Sequence, residues 1–391
     1  MGVAPSVMLV TGAYAPEISS GGQQCREVAR TLAGRVRFVV VATAVDRSLP
    51  LESEIEGVRL YRLPIDVTSL GSRIAAALRL AGIFFALRRD VRVVHIHGIS
   101  SKNVLVTWLA RLFGMRVVLT LHTAGQDEPE AVRARSGAAY RSLRAADRVL
   151  SVSPLLSDRY RAAGLPAGKL SQTVNGINTT RFRPAAADER RALRVALGLP
   201  PGPIVLFVGF FSRDKRPDVL FDAWTRLAAT AAEPPALVCV GATSSPYFEV
   251  DPGLADRMRA DADRLGIADR LRLVAPTNDI DQYFRSADVF ALPSVREATP
   301  MALLEAMSCG LPCVASRLPG ATDVLIADGV NGCLVPPGDA AALAAALAHV
   351  LASPADAARL GAAGRLVIEE RFGLDRAAGD WLAAYREVLA T

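Results

Sequence analysis

Two series of short apolar runs, divided by a stretch of turn formers, constrain this chain more than any other feature. The first series is SVMLVT (6–11), RFVVVAT (37–43), VRVVHIH (91–97), RVVLTLH (116–122) and RVLSVS (148–153). Each run is strand-length and nearly all apolar, the pattern of a strand buried on both faces of a parallel sheet. Helix-length stretches lie between them, at 21–34, 74–87 and 103–113. Repeated strand–helix units predict a doubly wound parallel sheet. After residue 183 the chain turns polar and Ala-rich, and residues 198–203 (GLPPGP) are dense in turn formers. The series then restarts with IVLFVG (204–209), ALVCVG (236–241), RLRLV (270–274), VFALP (289–293) and PCVAS (312–316). The reading is an α/β chain of two tandem Rossmann-like domains, residues 1–184 and 203–370, with a linker at 185–202. Ligands of such sheets bind beyond the C-terminal strand ends, so two facing domains offer both edges to one central cleft.

The 391 residues suffice for two cores. The formal charge of +6 is scattered, with no Lys/Arg-rich block of five residues, so no nucleic-acid partner is expected. Only Lys102, Lys169 and Lys215 are lysines. The five cysteines form no CxxC pair, which points to reduced thiols and a cytoplasmic chain. No basic region precedes the first apolar run, so no secretory signal is expected. Residues 1–6 fit the short N-myristoylation pattern, but a strand begins directly behind it. No apolar stretch reaches the ~18 residues of a membrane span.

The strongest constellation is REATPMALLEAM at 296–307, directly after an apolar strand. Thr299 suits an N-cap and Pro300 the first helical position, so a helix is predicted from there to Cys309, with Gly310 closing it. Its free amides, including those of Met301 and Ala302, and its positive dipole end suit a pyrophosphate. Glu297 precedes that end, and Glu305 lies about 9 Å along the helix from Thr299. Carboxylates on both sides of a phosphate site can each accept two hydrogen bonds from vicinal hydroxyls. Neither a G-x-G-x-x-G nor a P-loop is present; residues 164–170 miss the latter by glycine spacing and by Leu170 in place of Ser/Thr.

Glu, seven residues, Glu, within EATPMALLEAMSCGLPCVAS, resembles the E-x7-E motif of family-4-type (GT4) retaining glycosyltransferases of the GT-B fold. Five further segments match in family order. PEISSGG (16–22) resembles the glycine-rich loop, and VHIHG (94–98) with TLHT (120–123) the two histidine strands. NGINTTRFRP (175–184) has Asn178 for the usual acid. DGVNGCLVPPGD (328–339) resembles the late segment, and Lys215 takes the place of the phosphate-binding lysine after Gly209.

The resemblance implies a metal-independent, retaining hexosyltransferase of carbohydrate biosynthesis, with no cofactor. It would move a sugar from a nucleoside-diphosphate sugar, UDP or GDP, to a hydroxyl of a small-molecule, glycan or lipid-linked acceptor. The first domain would bind the acceptor, the second the donor, and residues 371–391 would form a helix crossing back to the first domain. Glu297, His122 and Lys215 become the catalytic candidates. Gly22, Arg213, Lys215, Thr299, Pro300, Met301, Ala302, Glu305, Gly241 and Thr277 fall to the donor. Gly21, Gly22 and His122 fall on the acceptor side, with the two glycines admitting close backbone approach. The family carries Arg directly after Gly209; here Phe210 stands there, and Arg213 would restore the charge. His95 and His97 share one side of their strand, which suits packing or capping better than a metal pair. A sugar-nucleotide epimerase or phosphorylase of the same fold is the alternative activity. RIAAALRLAGIFFALRR (73–89) fits either a helix buried on the first sheet or one lying on the inner face of a membrane as a peripheral contact.

Overall fold

The computed structural model describes residues 4–66, 68–231, 233–243 and 250–390, so residues 1–3 of the myristoylation pattern lie outside the described residues. The chain divides into two compact units. Unit 1 comprises Met1–Gly176 and Leu374–Thr391; unit 2 is Ile177–Gly373.

Unit 1 is built on strands β1 (Ser6–Thr11), β2 (Arg37–Ala44), β3 (Glu52–Ile55), β4 (Val58–Pro64), β5 (Val93–His97), β6 (Arg116–Leu121), β7 (Arg148–Ser151) and β8 (Leu170–Gln172). Their order is β3-β4-β2-β1-β5-β6-β7-β8. All neighbours are parallel except the β3–β4 hairpin. Every residue of β1 and β5 is buried, which is why these strands read as unbroken apolar runs. The edge strands β3 and β8 are not legible in that pattern, because exposed positions dilute the signal. Inside the β3 edge, β4 is mostly buried, but Arg59 and Arg62 interrupt its apolar run. The chain winds from β1 out through β2 to β4, then returns to β5 on the other side of β1.

The helix Leu374–Ala390 belongs to this unit, as the crossing-back expectation required. It starts at Leu374 rather than 371, because the preceding helix Pro354–Arg371 ends first, at Phe372. Ala377, Ala378, Trp381, Leu382, Tyr385 and Val388 form one core with Cys25, Val28 and Ala29 of the helix Ser20–Thr31 and with β1, β2, β5 and β6. Burial of Trp381 and Tyr385, both essentially inaccessible, is worth roughly 2–3 kcal/mol each.

Unit 2 holds β9 (Ile204–Val208), β10 (Ala236–Val240), β11 (Leu271–Val274), β12 (Val289–Leu292), β13 (Cys313–Ser316) and β14 (Cys333–Val335). They are all parallel, in the order β11-β10-β9-β12-β13-β14. The chain runs from β9 outward to β11, then returns to β12 on the far side of β9. The β9/β12 boundary is therefore the switch point of this sheet, where such folds bind ligands.

The division between units falls at Gly176/Ile177, not at 184, and 185–202 is not a linker. Ala187–Ala196 is a helix of unit 2. Its Arg190 and Arg194 grip Asp288 at 3.4 and 2.6 Å, and the Arg194 guanidinium also donates to the Ser286 carbonyl at 2.8 Å. Arginine anchoring is invisible to a composition test that sees only Ala and polar residues. Leu70–Leu87 corrects a second expectation. It is an 18-residue helix of mean hydropathy 1.6, long and apolar enough for a span despite Arg73 and Arg79. Ala76, Leu80, Ile83, Phe84 and Leu87 are nevertheless buried in the protein.

Candidate active site

Two loops meet at the switch point of unit 2. The loop after β9 runs from Gly209 to Arg216, and the loop after β12 runs from Pro293 to Pro300. They are zipped together in three places. The Val295 amide donates to the Asp214 carbonyl at 2.8 Å, Arg296 pairs with the Asp214 carboxylate, and Lys215 Nζ donates to Glu297 Oε1 at 2.6 Å. Lys215 and Glu297, 82 residues apart in the chain, thus form one ion pair, with the carboxylate only 7% exposed. The turn that aims the lysine ends at Arg216, whose φ of +50° is left-handed, a costly conformation for a non-glycine residue. Asp218 holds the Arg216 guanidinium at 2.8 Å.

Glu297 leads into the helix Met301–Ser308. Its N-cap is Pro300, in extended conformation, and not Thr299. The Leu303 and Leu304 amides both donate to the Pro300 carbonyl, at 3.1 and 3.2 Å. Proline has no N–H, so the amides this helix can offer a ligand narrow to Met301 and Ala302, both partly exposed. At the other end Cys309 is the cap, and Gly310 follows at φ +69°. The Gly310 amide donates to the Met307 carbonyl and the Leu311 amide to the Ala306 carbonyl, a Schellman closure. Glu305 is buried on this helix. Burial pushes its carboxyl up to about 8, nearby Arg181 opposes the rise and Asp281 adds to it. Arg181 and Asp281 are themselves paired at 2.8 Å.

The remaining residues expected at the donor behave differently from one another. A Cβ on Gly241 would lie 1.8 Å from the Gly209 carbonyl oxygen, so this glycine is required by the close approach of the β9 and β10 ends. Thr277 Oγ1 accepts from the Asp279 amide at 3.1 Å, ahead of the helix Ile280–Ser286. Arg213 is exposed, and its charge adds only a minor pull on Asp251, whose carboxyl is lowered first by Arg257. The structure therefore gathers Lys215 and Glu297 on two joined loops, with Met301 and Ala302 next along the second, and leaves Arg213 outside the pair.

In unit 1, Gly21 and Gly22 lie in the first turn of the helix Ser20–Thr31, not in a loop. Gly22 donates its amide to the Ser19 hydroxyl, the N-cap, at 3.0 Å. A Cβ on Gly22 would stand 2.2 Å from the Ala13 carbonyl oxygen, whereas one on Gly21 would make only ordinary contact, 3.5 Å from Thr11. The close approach at Gly22 is thus to the chain's own β1 loop.

His122 follows β6 directly and is half-buried. Its Nε2 is 3.0 Å from His97 Nδ1, with the rings stacked. His95, one strand position pair away from His97, hydrogen-bonds Tyr385 and Thr120, both at 2.7 Å. Trp381 packs against both His95 and His97. Burial lowers all three histidines, His122 to about 4, with a hydrogen bond to Asn175 opposing. The expected packing role of His95 and His97 is what the geometry gives, and the third histidine joins them. His97 Nε2 is buried without a partner. One residue was missed from the sequence. Asp127, buried, accepts from the His122, Thr123 and Ile99 amides at 2.7, 2.9 and 2.9 Å and so holds the loop that presents His122. The available signal was an acid five residues beyond the histidine, before the Pro129 helix start.

Two Rossmann-like units, each wound about its own switch point, define the GT-B class of glycosyltransferase folds. Solved structures agree. The chain matches the sucrose-phosphate synthase of Thermosynechococcus elongatus with a TM-score of 0.79, 23% identity and 99% of each chain covered. It matches Anabaena HepE, solved in complex with UDP, with a TM-score of 0.74, 18% identity, and 98% and 100% coverage. Residues 21–176 match the glycosyl transferase 4-like domain and residues 189–367 the glycosyl transferases group 1 family. The D-inositol 3-phosphate glycosyltransferase of Xylanimonas cellulosilytica is 30% identical over 92% of this chain and 90% of its own length. D-inositol 3-phosphate glycosyltransferase 2 of Catenulispora acidiphila is 33% identical over 67% of this chain, a match spanning 63% of that relative. The chain belongs to the family-4-type glycosyltransferases.

Proposed function

We propose that this chain transfers a hexose-type sugar, with retention at the anomeric carbon, from a nucleoside-diphosphate sugar to an acceptor hydroxyl. The observation that carries the reading is the Lys215–Glu297 pair beside the N-terminus of the helix Met301–Ser308, at the switch point of unit 2. A cation and two outward-facing amides suit the diphosphate, and the buried carboxylate suits the sugar hydroxyls. In the resting site the two charges satisfy each other. An arriving diphosphate would draw Lys215 to itself and release Glu297 to the sugar.

As the sugar–phosphate bond breaks, negative charge builds on the leaving diphosphate. Lys215 and the Met301 and Ala302 amides would stabilise it, with no metal required. Glu297 would orient the donor through its hydroxyls, Thr299 and Pro300 would set the helix entry, and Glu305 would reach the ribose. Gly241 and Thr277 would border the base. His122, with Gly21 and Gly22 on the same unit, would face the sugar and acceptor. UDP is the first donor to test, since Anabaena HepE was solved with UDP and with UDP-glucose. Inositol phosphate belongs in the acceptor panel because relatives carry it in their names.

A thermal-shift panel of UDP, GDP, ADP and dTDP sugars should single out one donor. Incubation with that donor and an acceptor panel, in chelator, should release the diphosphate only when an acceptor is present. The anomeric configuration of the product, read by NMR, should match the donor. Epimerised donor without acceptor would replace this reading with the epimerase alternative, and an inverted product would remove retention.

A further inference from the structure

The helix Leu70–Leu87 is apolar apart from Ser72, Arg73 and Arg79, yet only 28% of it is buried. One face docks on unit 1 through Ala76, Leu80, Ile83, Phe84 and Leu87. The opposite face carries Ile74, Leu78 and Phe85, all more than half exposed. Positions i, i+4 and i+11 fall within about 40° of one line along a helix, so these three form a stripe. The stripe continues onto a second element. Phe85 meets Phe113 edge-on at 6.3 Å, just beyond the helix Lys102–Leu112, whose Trp108 is 70% and Leu112 63% exposed. Trp108 and Leu112 are one turn apart. The outcome is a continuous aliphatic and aromatic face on two adjacent helices, the kind of patch that soluble monomers rarely leave open.

The charges around this face are mostly of one sign. Arg73 stands at its start, Arg88 and Arg89 at its end, and Arg111 beside Leu112. Arg88 lies over the Phe85 ring, 3.8 Å from its centroid. Arg111 is held by Asp147 and Arg79 reaches Glu52, but Arg73 and Arg89 enter no ion pair among the described residues. Asp90 is the acid nearest the end of the helix in sequence. A second copy of the chain packed here about a two-fold axis would set this arginine rim against itself. An anionic lipid surface would instead take the apolar stripe below its headgroups and pair its phosphates with the arginines, with Trp108 at the interface.

We propose that the Ile74–Leu78–Phe85 face, with Trp108 and Leu112, seats unit 1 on the surface of an anionic membrane. This holds whatever donor the chain uses. It decides between the two roles that the sequence left open for residues 73–89: the helix has a docked face and a lipid face.

The fluorescence of the intact chain gives a direct test, because Trp224 and Trp381 are fully buried and Trp108 is exposed. The full-length protein is mixed with vesicles of phosphatidylcholine alone or with 30% phosphatidylglycerol, and binding is read by co-flotation and tryptophan emission. Binding to the anionic vesicles, a blue shift, and quenching by brominated acyl chains are expected. Leu78→Glu should weaken binding by at least tenfold. Arg73→Gln with Arg89→Gln should do so by roughly tenfold or more, at about 1 kcal/mol per basic residue. Trp108→Phe should abolish the shift but keep binding within a few-fold. Each variant alters an exposed side chain, and an unchanged melting temperature confirms its fold. Absence of vesicle binding would overturn the proposal. So would equal binding to neutral vesicles, or a concentration-dependent dimer in sedimentation that Leu78→Glu dissolves.

Discussion

The two units handle buried polar chemistry in opposite ways. Unit 1 gathers three histidines, His95, His97 and His122, into an apolar setting under Trp381 and keeps them neutral. Unit 2 sets full charges opposite one another, Lys215 on Glu297 and Arg181 on Asp281, and keeps one carboxyl, Glu305, protonated by burial. Neutral rings are cheap to bury and can pass hydrogen bonds along; paired charges cost desolvation and are retained where a charged ligand can exchange with one partner. The contrast is what the proposed roles would call for, with the acceptor served by hydrogen bonds from unit 1 and the diphosphate received by unit 2.

The largest expected effect tests the charged half. Lys215→Ala and Glu297→Gln should each lower kcat/KM by roughly a thousandfold, about 4 kcal/mol of transition-state stabilisation, with little change in melting temperature for the Gln variant. A loss below tenfold in steady-state kinetics would break the comparison by removing the pair from the chemistry.

Next come the two glycines that let backbones touch, one in each unit. A methyl group at Gly22 or Gly241 meets a carbonyl oxygen at 2.2 or 1.8 Å. Gly22→Ala and Gly241→Ala should each cost ~3 kcal/mol or more in urea unfolding, because backbone must move, whereas Gly21→Ala should stay within about 1 kcal/mol.

The pH dependence separates the units by sign. The unfolded chain protonates His122 near 6.5, while the folded chain resists down to about 4. Stability held above pH 6.5 is therefore lost as pH falls from there towards 4. The folded chain keeps the Glu305 proton up to about 8, while the unfolded chain releases it near 4.5. Stability is therefore lost as pH rises between those values. The slope per group is about 1.4 kcal/mol per pH unit. His122→Gln should remove about that much of the loss between pH 6 and 5, and Glu305→Gln about that much between pH 6 and 7. Both follow from chemical unfolding at fixed pH. Identical slopes in variant and parent would show that the two environments do not differ as described.

The smallest effect is expected at Arg213. It is exposed and outside the Lys215–Glu297 pair, so Arg213→Ala should change KM for the donor by no more than about threefold. A hundredfold rise in initial-rate measurements would restore it as the substitute for the missing arginine and make Phe210 a true rearrangement of the clamp.

Much of this organisation was legible in one dimension. The central strands β1, β5, β9, β10 and β12 announce themselves because both faces are buried, and the segment 296–310 announces a helix with its acids and its closing glycine. Errors came where a local signal was weak or shared. Thr299 and Pro300 are both good starters, and the backbone chose Pro300. The Ala-rich stretch 187–196 looks like a linker until its arginines find Asp288 and the Ser286 carbonyl. Gly22 reads as a loop glycine because the close Ala13 carbonyl lies nine residues back, beyond the reach of turn rules.

The candidacy of Lys215 and His122 came from the family resemblance, whereas the chain's own order of residues determined two parallel-sheet units and the strand–loop–helix carrying Glu297 and Glu305. These rest on patterns within some fifteen residues, where periodicity, caps and turn formers act. The tertiary structure alone decided that Lys215 meets Glu297 across 82 residues, that His97 stacks on His122, and that the last helix returns to complete the first core. It also decided that one face of an apolar helix stays uncovered. Those outcomes depend on which buried surfaces are left to satisfy one another once the sheets have formed. No local pattern carries that information, since burial and pairing are properties of the whole packed unit.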